Sequence, residues 1–142
     1  MRIFFGGPLT DLQNPEKTKA FYVKLGEVAK TNGFDYYWAF EHGTDPEHNP
    51  DVSASRVYQI DTQELEKSDL MIAYVGEPST GTGEEIEYAQ DHNIPVYLLF
   101  EKGKKISRML LGSPSIKGVI EFTDEADALA QLQSLLQSIK PH

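Results

Sequence analysis

Residues 69–100 read DLMIAYVGEPSTGTGEEIEYAQDHNIPVYLLF, and the succession of patterns in this stretch decides the fold. DLMIAYV (69–75) is the most apolar run of the chain, and VYLLF (96–100) is equally free of polar alternation. Strands of that kind are buried on both faces, as the inner strands of a parallel sheet are. Between them a turn-rich loop, GEPSTGTG (76–83), leads into a helical pattern from Glu84 to about His92, closed by Asn93-Ile94-Pro95. The stretch therefore reads as strand, helix, strand.

The same alternation continues outward in both directions. RIFFGG (2–7) is a short hydrophobic run closed by glycines, and Asn14 to Asn32 repeats apolar residues at helical spacing behind Asn14-Pro15. FDYYWAF (34–40) is an aromatic strand, 41–55 is a loop full of turn formers, and Val57 to about Lys67 looks helical. Beyond residue 100 come a short helix near 105–111, the strand VIEF (119–122) and a helix from Asp124 to about Ser138. Five strands alternating with helices predict an α/β fold. Right-handed crossovers make it a flavodoxin-like or Rossmann-like, doubly wound, five-stranded parallel sheet of order 2-1-3-4-5. No linker, repeat or low-complexity tract interrupts the chain, so a single domain over 1–142 is expected.

Composition narrows the partners. The 142 residues include 39% hydrophobic and 11% aromatic ones, which suits a folded core. Thirteen basic against 22 acidic residues leave a net charge of -9. Such a surface repels a polyphosphate backbone and anionic lipid, so neither nucleic acid nor membrane is an expected partner. No run approaches the length of a membrane span, and the apolar start is too short for a signal peptide. The absence of cysteine excludes thiolate chemistry and fits a reducing, cytoplasmic location.

In open parallel sheets ligands bind outside the carboxyl ends of the strands. The loops on that edge are GGPLTD, the long 41–55 segment, GEPSTGTG and EKGKK (101–105). A glycine-rich turn before a helix usually suggests a phosphate cradle, but with the helix starting at Glu84 three carboxylates (Glu84, Glu85, Glu87) crowd its first turn. A carboxylate at a helix N-terminus has another use. The helix field favours its ionised form, making Glu85 a nucleophile available at neutral pH. The plain alternative is that acidic residues simply suit a first helical turn. Asp61, in VYQIDTQELEKSD (57–69), is either a solvated helix residue or the second of a carboxylate pair for glycosidic chemistry, one attacking the sugar and one managing protons.

His42, Asp45, Glu47, His48 and Asp51 share one loop but match no familiar metal spacing. They read as a polar loop, or as a lid over a pocket. Lys102, Lys104, Lys105 and Arg108 are the only local basic cluster, by default a solvated helix face and alternatively, with Ser107, a contact for a ligand's phosphate. Tyr36, Tyr37, Trp38 and Phe40 read as core and sheet-surface residues, with Trp38 a possible stacking partner for a base. No metal or cofactor is expected.

Taken together, the 69–100 stretch and IFFGGPLTDLQN (3–14) resemble the nucleoside 2-deoxyribosyltransferase family. The likeness covers most of the chain in order and is weakest across 34–56. It rests on an apolar strand after Asp69 and a loop ending Gly81-x-Gly83-x-Glu85. The resemblance implies cleavage of the N-glycosidic bond of deoxyribonucleosides or their 5'-monophosphates through a glycosyl ester on Glu85, with Asp61 at the departing base. Substrate contacts are then implied at Phe4, Gly6, Asp11, Ser79, Gly81, Gly83 and Ser107. Ser107 would act across a subunit interface in a homo-oligomer with shared active sites. Ser79 and Ser107 weigh toward the branch that hydrolyses 5'-monophosphates, whereas the PLTD loop, without arginine, resembles the transferase branch. Phe4 stands where the family has a tyrosine whose hydroxyl orients the nucleophile. A non-catalytic nucleotide-binding module on the same fold remains the competing class, and it has no need of a nucleophile at Glu85.

Overall fold

A computed structural model describes residues 1–139. Five parallel strands form one sheet: β1 (Arg2–Gly6), β2 (Asp35–Trp38), β3 (Leu70–Tyr74), β4 (Val96–Glu101) and β5 (Ile116–Phe122). Their order, β2-β1-β3-β4-β5, is the one predicted. Helices α1 (Pro15–Thr31) and α5 (Glu125–Ile139) pack against each other on one face, and α2 (Ala54–Glu66) and α3 (Thr80–Asp91) on the other. A single turn, α4 (Arg108–Leu111), follows β4. Among the described residues, no helix is long and apolar enough to cross a membrane.

Strand β3 is buried at every position, which explains its uninterrupted apolar run. It carries Leu70, Ile72 and Tyr74 into the core beneath α1 and α5, and Met71 and Ala73 into the core beneath α2 and α3. Strand β5 lies at the edge and alternates exposed with buried residues. Its pairing with β4 begins at Ile116, earlier than the VIEF run suggests, and Gly118 lies opposite Tyr97, where a β-carbon would stand 3.0 Å from that ring.

Helix ends follow their caps. Asn14 accepts from the Lys17 amide at 3.2 Å, with Pro15 at the first helical position, and Gly33 leaves the helix at a φ of 82°. Strand β2 is shorter than FDYYWAF suggests. The Phe34 amide still bonds Ala29 O at the end of α1, and Ala39–Glu41 turn into a 3₁₀ segment. Helix α2 begins earlier than expected because Ser53 caps it through the Arg56 amide.

The consequential difference concerns α3. It starts at Thr80, four residues before Glu84, with Ser79 as its cap accepting from the Thr82 amide at 3.2 Å. Gly81 and Gly83 therefore lie inside the first turn, no acidic residue does, and Glu85 belongs to the second turn. The crowding of carboxylates at the helix end, and the helix field acting on Glu85 from a terminal position, both fall with that correction.

Candidate active site

A cavity of about 1030 Å³ opens at the carboxyl edge of the sheet. Its walls come from the loops after β1, β2 and β3 and from the facing surfaces of α2 and α3. This is the switch point of the sheet, where the chain runs outward from β1 to β2 on one side and to β3 on the other.

Asp61 and Glu85 both line this cavity, one from the middle of α2 and one from the second turn of α3. Gly6, at the end of β1, lies beside Glu85 and Met71: a β-carbon there would be in ordinary contact with Glu85 Oε1, at 3.5 Å, but would crowd Met71 Cε at 2.7 Å. Glu85 is half-buried and lines the cavity. Burial pushes its carboxyl well above the usual range, and the nearby charges of Asp61 and Glu84 push it further. The expectation of a carboxylate eased into its ionised form is therefore corrected. Position within the helix, and burial, outweigh the helix field.

Asp61 is also raised by burial, while hydrogen bonds from Tyr37 and Thr44 pull it down and Glu64 pushes it up. Tyr37 Oη donates to Asp61 Oδ1 at 2.9 Å, and Thr44 Oγ1 lies 3.4 Å from the same oxygen. The Asp61 carboxylate thus disfavours ionisation of Glu85 within the same cavity.

Five carboxylates line the cavity (Asp61, Glu84, Glu85, Glu87 and Asp91), and no lysine, arginine or histidine of the described residues does. What positive potential there is comes from the N-terminus of α3. Ser79 takes the Thr82 amide and the Gly83 amide reaches Ser79 O, which leaves the amides of Thr80 and Gly81 for a ligand or water. Gly81 lines the cavity with open space where a β-carbon would be; Gly83 has the same open space but is not in the wall.

The other expected contacts divide. Ser79 and Gly6 line the cavity; Asp11, exposed at a φ of 55°, does not, although its neighbour Thr10 does. Phe4 is fully buried behind the wall, its ring stacked on Tyr37 at 5.4 Å. Ser107 caps α4 through the Leu110 amide at 3.4 Å and is exposed, away from this chain's cavity. Trp38 forms part of the wall but is committed to the core, stacked on Tyr22 at 4.2 Å and on Phe5 at 5.0 Å, so it has no ring face to offer a base. Tyr58 and Tyr88 at the cavity wall, in edge contact at 6.5 Å, are aromatic groups that the sequence reading passed over.

The loop over the cavity is tied down. Asp45, a buried carboxylate within it, accepts from Lys19 Nζ of α1 at 2.7 Å and lies 2.8 Å from His48 Nδ1. Asp45, Glu47 and His48 lie close enough together to resemble a metal site, but the Lys19 ammonium already bridges the two carboxylates. Burial alone would raise Asp45. Its hydrogen bonds from Lys19, His48 and the Glu47 amide win, holding it below the usual carboxylate range.

An open parallel sheet with a carboxylate-lined cavity at its switch point defines an α/β protein with its cavity where folds of this kind bind small molecules. More narrowly, the chain belongs to the nucleoside 2-deoxyribosyltransferase family, whose sequence profile matches residues 3–133. A protein of Syntrophotalea carbinolica named "Putative 2'-deoxynucleoside 5'-phosphate N-hydrolase 1" is 33% identical to it, over 96% of this chain and 92% of the relative. Among solved structures, a CMP N-glycosidase of Clostridium botulinum superposes with a TM-score of 0.72 at 20% identity, covering 95% of this chain and 99% of that one. A 2-deoxyribosyltransferase of Bacillus psychrosaccharolyticus superposes at 0.69 and 22% identity, covering 100% and 99%. At those identities the likeness speaks for the fold, which is the one described above.

Proposed function

We propose that the protein is a cytoplasmic enzyme that hydrolyses the N-glycosidic bond of 2'-deoxynucleoside 5'-monophosphates. What carries this reading is the convergence of Glu85, Asp61 and the open N-terminus of α3 on one cavity. A Glu85 oxygen bonds to the anomeric carbon as the carbon–nitrogen bond breaks, and the base leaves with that electron pair and a proton from Asp61. Water then attacks the same carbon, its proton passes to Asp61, and Glu85 is released as carboxylate. The first step runs from the form with Glu85 ionised and the proton on Asp61. Burial and its acidic neighbours favour the proton on Glu85 instead, so the bound substrate has to stabilise the Glu85 carboxylate for the step to begin.

The 5'-phosphate is assigned to the amides of Thr80 and Gly81 and the Ser79 hydroxyl. With no cation in the wall, the remaining charge is met from a second subunit of a homo-oligomer. Ser107, the cap of α4, and Arg108 on it, both exposed beside Met109 and Leu111, are the groups we assign to that role. The name of the Syntrophotalea relative supports the monophosphate as substrate.

A specific observation favours a second reading. A wall of carboxylates without a cation suits a neutral nucleoside, and with it base exchange by a transferase. One experiment separates the two: incubation with deoxyribonucleosides and their 5'-monophosphates, with and without a free acceptor base, followed by chromatography of released bases. Free base from monophosphates is the expected result. Exchange on nucleosides would move the assignment to the transferase, and no release from any substrate would leave a binding module.

A further inference from the structure

Strand β2 places consecutive tyrosines on opposite faces of the sheet. Tyr36 packs against the core under α1, whereas Tyr37 enters the core shared with Leu65 of α2 and Met71 of β3. The Tyr37 ring is fixed on three counts. It pairs in register with Phe4, stacks on that ring at 26°, and carries the His42 imidazole at 4.7 Å on its surroundings. A ring held so firmly delivers its hydroxyl to one place, and that place is Asp61 Oδ1, 2.9 Å away.

The surroundings of Asp61 make this hydroxyl matter. Glu64 on its own helix acts on Asp61 as a negative charge, and Asp61 in turn acts on Glu85 of α3. From β2 and the loop that follows, Tyr37 and Thr44 are the only hydrogen-bond donors to its carboxyl among the described residues. Thr44 is the weaker of the two, since its hydroxyl lies 3.1 Å from Ala39 O and 3.4 Å from Asp61. A phenol donating to a carboxylate in a half-buried site is a charge-assisted bond that favours the ionised form. Both donors converge on Oδ1, and among the described residues no protein group hydrogen-bonds to Oδ2.

We propose that Tyr37 is a positioning residue for Asp61: it holds the carboxyl by one oxygen, so that the other is presented to the ligand in a fixed direction. The assignment rests on the proposed function for its kinetic consequence, but not for its geometry. A buried tyrosine hydroxyl always needs a partner, and a partner on the backbone would have served stability alone. Here the partner is a cavity carboxylate on a different element, 24 positions along the chain.

The test uses Tyr37→Phe, which keeps the ring stack and removes only the hydroxyl. Carboxyl carbon NMR of aspartate-labelled protein, with Asp61→Asn to assign the signal, follows the Asp61 titration in the absence of substrate. Its midpoint is expected to move upward in Tyr37→Phe, and an unchanged midpoint overturns the proposal. In kinetics kcat is expected to fall roughly 10- to 100-fold with KM changed less than about threefold, the pattern of a lost alignment of an acid–base group. In the Asp61→Asn background the same substitution is expected to cost nothing further, and an equal loss in both backgrounds would also overturn it. If the wild-type protein releases base from no substrate, the proposed function fails, while the titration still decides whether Tyr37 holds Asp61.

Discussion

Two groups of carboxylates flank the same cavity and behave in opposite ways. In the loop above it, Asp45 is buried and yet held below the usual carboxylate range, because Lys19, His48 and a backbone amide all donate to it. In the cavity itself, Glu85 has no cation, faces Asp61 and Glu84, and is pushed well above that range. Burial acts in the same direction on both, so the difference lies in the partners. A buried acid that is given a cation becomes a fastener. One that is denied a cation stays costly to ionise, and that unrelieved charge is what a reacting sugar carbon can satisfy.

The largest expected effect breaks the cavity side. Glu85→Gln should lower the rate of base release by roughly 10³-fold or more, the scale of losing a covalent nucleophile, measured by chromatography of the free base. The same substitution should raise the melting temperature, by a few degrees at neutral pH, since it removes a charge that folding strains. The stability difference should also depend on pH in a definite sense. A carboxyl raised in the folded state binds its proton more tightly there than in the unfolded chain. The wild type therefore loses stability as pH climbs from the ordinary carboxylate range through the raised one. The gain from Glu85→Gln should accordingly widen with rising pH and shrink toward acid, and calorimetry across that interval would expose a gain that stayed constant.

Breaking the fastener comes next. Lys19→Met leaves the buried Asp45 with only His48 and the Glu47 amide and should cost about 3 kcal/mol of stability, the lower end for removing one partner of a buried pair, measured by urea unfolding. Asp45 is depressed in the folded state, so the stability it confers is present above the ordinary carboxylate range and disappears as pH falls through its folded value. In Lys19→Met that acid-side loss should be diminished.

The smallest effects sharpen the contrast within α3. Gly81→Ala and Gly83→Ala meet no neighbouring atom, and each should stabilise the helix by about 1 kcal/mol on propensity. Gly81 lines the cavity and Gly83 does not, so only the first should raise KM for the monophosphate. Equal effects on KM would mean that the ligand does not approach the α3 backbone at Gly81.

Much of the fold was legible because β3 and β4 must be apolar at consecutive positions to lie inside a parallel sheet, and Asn14-Pro15 and Asn32-Gly33 punctuate α1 unmistakably. The start of α3 was misread for a physical reason. Thr-Gly-Thr-Gly contains poor helix formers, and a reader placing the helix at Glu84 trusts propensity over the cap at Ser79. Glu85 and Asp61 could be picked out by residue type and motif, and the structure brings them to one cavity. Their electrostatics could not be, since burial and mutual repulsion depend on how α2 and α3 face each other. Tyr37 was hidden for a similar reason. An aromatic in a strand reads as core, and only the register of β1 on β2 and the position of α2 reveal that its hydroxyl meets a carboxylate.

The aromatic cluster beside the cavity also makes the protein its own reporter. Trp38 is the only tryptophan in the chain, is 1% exposed, and stands in the cavity wall in contact with Tyr22 and Phe40. All indole emission therefore arises from one site at the rim of the chemistry, with a tyrosine near enough to feed it excitation. Filling of the cavity is expected to change the intrinsic fluorescence through the wall that Trp38 helps to form, without a label and without turnover.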